Sequence, residues 1–205
     1  MAEQLSFPGF GEPPRQASAA DKPKPAAKGG RPKYALKFSI FPAPADALEI
    51  VRLTGDVLQA QGLTGKPLRS HRLHVTVHNL GEYEEVPQDL VAAAMKAGDA
   101  LAFEAFEVGF DCAMSFPRSG TYVLSGHEGT RQLTAFYEEL GESLRSQGLR
   151  VTRSFTPSMA LVYDKHFVAE HSIVPVRWKA RGFVLIRSHI GTGKYDLLGS
   201  WPVQL

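Results

Sequence analysis

The chain has one cysteine, Cys112, among its 205 residues. That excludes an internal disulfide and a cysteine-built zinc cage, and it agrees with a reducing compartment. No apolar run approaches the roughly 18 residues that a membrane-spanning helix requires. A secretory signal needs a basic start and an apolar stretch, whereas Met1 to Pro14 carries acids and prolines. The expectation from these absences is a cytoplasmic protein with no membrane segment. A broadly basic surface is lacking too. Net charge is +2, and residues 1–33 hold six bases against three acids, which leaves 17 bases against 18 acids in the body. Any polyanion the body handles must therefore be held by a local site.

What is present divides into two stretches. Residues 1–33 contain six prolines and four glycines with no period of 2 or 3.6, so they read as a disordered, Pro/Gly-rich basic leader. Within it, Gln4-Leu5-Ser6-Phe7 followed by Phe10 resembles the short glutamine-leucine motifs that bind the bacterial DNA sliding clamp. The alternative is a remnant folded loosely over the body.

From residue 34 to 205 the text is that of one folded domain. Tyr34, Leu36, Phe38 and Ile40 alternate with smaller or polar residues and predict a strand ended by Pro42. A helical face through Leu48, Val51 and Leu58 stops at Gly62. Pro87 suits the first turn of a second helix, and Leu133, Phe136, Leu140 and Leu144 mark a third, closed by Gly148. Further strands are predicted at Arg72–His78, Phe103–Cys112, Thr121–Ser125, Met159–Tyr163, Val174–Trp178, Phe183–Arg187 and Tyr195–Leu198. Several connections are too short for a parallel crossover, so antiparallel sheets dominate and the class is α+β.

The most informative stretch is Arg72-Leu73-His74-Val75-Thr76-Val77-His78. As a strand, its period of two sends Leu73, Val75 and Val77 to a core face and His74, Thr76 and His78 to the other. Lysine, glutamate and serine are the commoner occupants of plain solvent surface, so this polar row reads either as a structural edge or as a site. A shared metal is disfavoured, because residues four apart on a strand lie about 13 Å from each other.

His74-Val75-Thr76-Val77 is similar to the His-x-Thr-x motif of the 2H phosphoesterases, in the branch of LigT-like 2′-5′ RNA ligases and RNA 2′,3′-cyclic phosphodiesterases. Leu80-Gly81-Glu82-Tyr83 resembles the loop after the first motif there, and Phe155-Thr156-Pro157 with Ser158-Met159-Ala160-Leu161 resembles the second, Phe-x-Pro-His-x-Thr-Leu. Val184-Leu185-Ile186-Arg187-Ser188 and Gly199-x-Trp201 are similar to its flanks, as are Gln4 to Phe10. The resemblance implies a two-lobed α+β fold in which two antiparallel sheets face a central cleft with helices outside. It also implies a metal-independent reaction without cofactor on RNA ends or small nucleotide phosphodiesters. One histidine accepts the attacking group's proton, the other protonates the leaving oxygen, and the threonines donate hydrogen bonds to phosphate.

The departure falls on the chemistry. Ser158 stands where the second histidine belongs and Ala160 where the second threonine belongs. A hydroxyl can donate to phosphate but is a poor proton shuttle near neutral pH. The resemblance thus leaves His74 and Thr76 as the catalytic pair, with Ser158, His78, Arg153 and Tyr163 as substrate-binding candidates. Tyr195 is a further phosphate holder. His166 and His171 read as exposed loop residues, and His189 as a residue ahead of a hairpin turn at Gly191-Thr192-Gly193. Two functions follow: a phosphodiesterase or ligase-like enzyme with weak or lost turnover, or a non-catalytic module that keeps the cleft for an RNA end or nucleotide. For the leader, a peptide spanning Gln4 to Phe10 is expected to bind a bacterial sliding clamp in a direct titration. No binding at high micromolar concentration ends the docking reading.

Overall fold

The computed structural model describes residues 31–152 and 154–203; the leader up to residue 30 and Arg153 lie outside them. In chain order the elements are β1 (Tyr34–Ile40), α1 (Pro44–Ala60), β2 (Val75–Tyr83), α2 (Gln88–Asp99), β3 (Phe106–Phe116), β4 (Thr121–Ser125), α3 (Arg131–Ser146), β5 (Ser158–Tyr163), β6 (His171–Ala180), β7 (Gly182–His189) and β8 (Tyr195–Pro202). Lys33 extends the ladder by one residue, its N–H donating to the Tyr83 carbonyl and its own carbonyl accepting from Ile190 N–H.

Local signals explain the helix ends. Pro44 opens α1, with Asp46 in the first turn, where a carboxylate meets the positive end of the helix. Gly62 follows α1 at φ 64° and Gly148 follows α3 at φ 78°, a conformation that glycine adopts without a Cβ penalty. Pro87 caps α2 from outside, one position before the expected first turn.

All described strands pair antiparallel in the order β6-β3-β4-β5-β2-β1-β7-β8. Two four-stranded halves are visible in the pairing. Within each, neighbours share long registers, whereas β2 and β5 meet at one registered pair, Val75 with Met159. Both side chains are fully buried, so the seam is sealed on its core face by packing rather than by a long ladder. Helices α2 and α3 cover the β2-β1-β7-β8 half. Trp201 donates its Nε1–H to Asp99 Oδ1 at 2.8 Å, Ser143 Oγ donates to the Ala97 carbonyl at 2.8 Å, and Phe136 packs on Phe183 with centroids 5.0 Å apart. The end of α1 reaches β6 in the other half, where Gln61 Nε2 lies 3.3 Å from His171 Nε2.

The two central strands carry matching irregularities. In β2 the register passes from Thr76 (opposite Ser39) to His78 (opposite Phe38), so Val77 is a bulge. In β5 it passes from Ala160 (opposite Val123) to Val162 (opposite Tyr122), so Leu161 is a bulge. Each follows the motif strand's polar or small position by one residue. A bulge inserts one residue and reverses the alternation beyond it. At the second bulge the Leu161 carbonyl accepts a hydrogen bond from Leu68 N–H at 2.7 Å, so the broken ladder leaves no orphaned acceptor there.

Because the seam rests on so few contacts, Met159→Ala is expected to destabilise the fold by about 2–5 kcal/mol, the usual cost of truncating a buried methionine. Urea unfolding checks it through a lowered midpoint.

Candidate functional site

Extending the antiparallel register outward from Val75 and Met159 places His74 beside Ala160 and Thr76 beside Ser158, all on the face opposite the helices. The diagonal pair His74 and Ser158 then stands about 7–8 Å apart, residue to residue, a gap wide enough for a phosphate. The row continues through further registered neighbours on the same face: Ser39 next to Thr76, Ser125 next to Ser158, and Cys112 next to Ser125. This face is not flat solvent surface. Ser39 is 0% and Val123 2% exposed although both point to it, so the row forms the floor of a cleft.

His74 is held in one orientation. Its Nδ1 lies 2.7 Å from the Arg72 carbonyl and its ring stacks on Phe41 with centroids 5.0 Å apart. A carbonyl can only accept, so Nδ1 carries the proton and Nε2 keeps its lone pair. Burial lowers the His74 pKa from the ordinary histidine value, and the positive charges of Lys37 and Arg72 push the same way, against the raising effect of the backbone hydrogen bond. The imidazole is thus neutral at pH 7 and able to accept a proton.

Lys37 is the residue that sequence reasoning missed. It lies two positions before Ser39 on β1, facing the cleft, and burial lowers its pKa while the charge of Glu82 raises it. No ion pair to Lys37 within 4.0 Å is found among the described residues. The one sequence signal was a lysine at a strand position flanked by buried Leu36 and Phe38. Phe41 and Tyr195 complete this side, with ring centroids 5.4 Å apart and the Tyr195 hydroxyl donating to the His71 carbonyl at 3.0 Å. Tyr195 therefore stands beside the ring that stacks on His74.

The expectation for His78 does not. The bulge at Val77 turns His78 to the core face, where it is 1% exposed and its Nε2–H donates to the Tyr137 carbonyl at 2.9 Å. A plain period of two cannot register such a bulge. The ring stacks on Tyr137 at 4.3 Å, and Tyr137 stacks in turn on Phe155 at 4.5 Å. His78 therefore packs α3 between the first motif strand and the segment that leads into the second. Gly141 makes this approach possible, since a Cβ there would meet the imidazole at 3.3 Å.

Tyr163 ends β5 on the cleft side, opposite Thr121, and is 58% exposed. Its neighbour Asp164 accepts hydrogen bonds from Thr64 and Gly65 N–H, each at 2.6 Å, and from His166 N–H at 2.8 Å. These bonds lower the Asp164 pKa to about 2 and tie the 64–68 loop to the rim. His171, expected in a loop, begins β6 instead, with its Nε2 3.2 Å from the Tyr122 hydroxyl and its Nδ1–H donating to the Ala169 carbonyl. His189 ends β7 on the helix side of the sheet, within 2.9 Å of Asp196 Oδ2, and Arg187 donates to the same oxygen. Neither histidine faces His74. Arg153 lies outside the described residues.

The fold and the paired strands define a class: a two-lobed α+β cleft protein whose two halves present related strand-and-bulge motifs to one another. The family model of the 2′-5′ RNA ligase superfamily matches residues 42–189, and the chain belongs to that superfamily. Among solved structures, E. coli LigT complexed with ATP is 20% identical, with 85% of this chain and 100% of that chain covered at a TM-score of 0.65. E. coli LigT complexed with 3′-AMP is 21% identical over the same shares at 0.66. The protein TT0787 of Thermus thermophilus is 21% identical over 82% and 97% at 0.62. At these identities the likeness shows the LigT-like fold. No curated protein sequence matches the chain.

Burial holds the His78 pKa down to about 4, below the ordinary value of 6.5. The unfolded chain then binds more protons than the folded one between these values, so stability is complete above pH 6.5 and declines as pH falls toward 4. Thermal unfolding followed from pH 7 to pH 4.5 is expected to show a falling midpoint. The fall should be shallower in His78→Gln.

Proposed function

We propose that the protein acts on RNA phosphodiesters of the 2′-5′ or 2′,3′-cyclic kind, by metal-independent acid–base chemistry centred on His74. The observation that carries this reading is the His74 imidazole held through Nδ1 by the Arg72 carbonyl one residue before the seam pair Val75 and Met159, the pair whose register sets His74 and Thr76 facing Ala160 and Ser158. The nucleotides of the E. coli LigT complexes, ATP and 3′-AMP, support a small nucleotide as the ligand of a cleft with this fold.

In this reading Nε2 of His74 takes the proton of the attacking water or hydroxyl as its oxygen bonds to phosphorus. Thr76 Oγ1 and the Lys37 ammonium hold the non-bridging oxygens, and Lys37 brings a positive charge that a second threonine would not. The bond from phosphorus to the leaving sugar oxygen then breaks. An intact second motif would protonate that oxygen from a histidine. Here Ser158 can offer a hydrogen bond but no readily transferred proton, so the leaving oxygen takes its proton from water and turnover is slow. A missing general acid costs typically 10²–10⁴-fold.

The second reading is a binding module for an RNA end or nucleotide, and the replacement of histidine and threonine by Ser158 and Ala160 favours it. One experiment separates the two. Ser158→His with Ala160→Thr rebuilds the facing pair on side chains that point away from the core. Hydrolysis of a 2′,3′-cyclic nucleotide or a 2′-5′ linked RNA is expected to rise by ~10²-fold or more, and His74→Ala in that background should remove the gain. Unmodified protein that already turns over as fast as the rebuilt variant overturns the role given to Ser158. Binding without turnover in both forms supports the module.

A further inference from the structure

We propose that Cys112, His127 and Glu170 form a binding site for a borderline-soft divalent cation of the zinc type, at the end of the cleft floor where the second motif is eroded. Nothing in the His74 reading calls for it, and it stands on separate residues. One donor atom from each of the three lies within 4.8 Å of the other two, and His127 Nε2 stands 3.7 Å from Glu170 Oε1. An ion with donors at about 2.0–2.3 Å needs them roughly 3.3–3.6 Å apart in a tetrahedron, so the His127–Glu170 pair requires a shift of only a few tenths of an ångström.

The backbone brings these residues together for a reason. The register of β3 with β6 passes from Phe110 opposite Val176 to Cys112 opposite Ser172, so Asp111 stands across from three residues of β6, Ile173 to Pro175, in an irregular stretch. Irregularities of this kind re-aim side chains, and this one adjoins Cys112. Asp111 Oδ1 has no hydrogen-bond partner within 3.5 Å among the described residues and lies against Gly126, where a Cβ would meet it at 3.2 Å. His127 is the next residue. Burial, and then the charge and hydrogen bond of Asp111, raise the Cys112 pKa, and a cation bound at the sulfur would take the place of that proton. A plain ion pair between His127 and Glu170 leaves the thiol out, and an exposed pair of this kind stabilises little.

The donor set is informative about the ion. Thiolate, imidazole and carboxylate together suit zinc rather than magnesium or calcium, which favour all-oxygen shells. Three protein donors leave a fourth position open, and His127 and Glu170 side chains are 72% and 50% exposed, so water or a ligand oxygen can reach it. Cys112 lies two strands from Ser158 through Ser125, a distance of about 10 Å. A cation there places positive charge on the side of the cleft that has lost its histidine.

The test uses the full chain, freed of metal by a chelator and titrated with Co²⁺. Cys112 is the single cysteine, so a sulfur-to-cobalt charge-transfer band in the near ultraviolet reports it alone. The expected result is a band that saturates at one equivalent, disappears in Cys112→Ser, and shifts to weaker affinity by roughly tenfold or more in His127→Ala and in Glu170→Gln. Unmodified protein with no band at millimolar Co²⁺ overturns the site. So does a band whose affinity is unchanged in both His127→Ala and Glu170→Gln. The readout is metal binding and not turnover, so its failure leaves the reading of His74 standing.

Discussion

The arrangement depends on how β2 and β5 meet. One registered pair, Val75 with Met159, joins two four-stranded halves, and a bulge follows it by two residues in each strand. Had the ladder continued, the alternation would have carried on and the sheet would have stayed one surface. By breaking register at Val77 and Leu161, both strands confine their outward positions to a short window: His74 and Thr76 on one side, Ser158 and Ala160 on the other. Beyond the window the chain turns inward again. The stretch of the two central strands that faces the cleft at the seam is therefore set by the two bulges.

Packing behind the seam uses one aromatic stack to tie both motifs to the same helix. His78, Tyr137 and Phe155 lie face to face in succession, with interplanar angles of 18° and 11°. Tyr137 also donates its hydroxyl to the Thr152 carbonyl, on the segment that leads into β5. A histidine in this position is a core residue with one satisfied nitrogen, and its buried Nδ1 has no partner among the described residues. The cost of that atom is consistent with a group whose protonation the fold resists. The two histidines of the first motif region thus do different work: His74 presents a free nitrogen to the cleft, while His78 holds α3 against the strand.

The two sides of the cleft have diverged in charge as well as in motif. On the first side stand His74, Lys37, Phe41 and Tyr195, an aromatic wall with a half-buried lysine. The floor of the other side is built from Ser158, Ala160, Ser125 and Cys112, small side chains that leave room. An anion entering the cleft meets positive charge on one side and hydroxyls on the other.

Much of this was legible in the sequence. Alternating Tyr34 to Ile40 and the helical face of Leu133 to Leu144 mark their elements because burial imposes a period, and the bounds of β1 and β4 match the expected ones. The motif strands and the α+β class were likewise readable, since each depends on residues a few positions apart. Tertiary structure alone decided the rest. A bulge has no composition of its own, so only pairing with β1 revealed that His78 faces inward. Lys37 gains meaning from His74 on the neighbouring strand, and His171 from Gln61 and Tyr122. Periodicity reports which face a residue takes within its own element; which residues share that face across the sheet is settled by register, and register is a property of the folded chain.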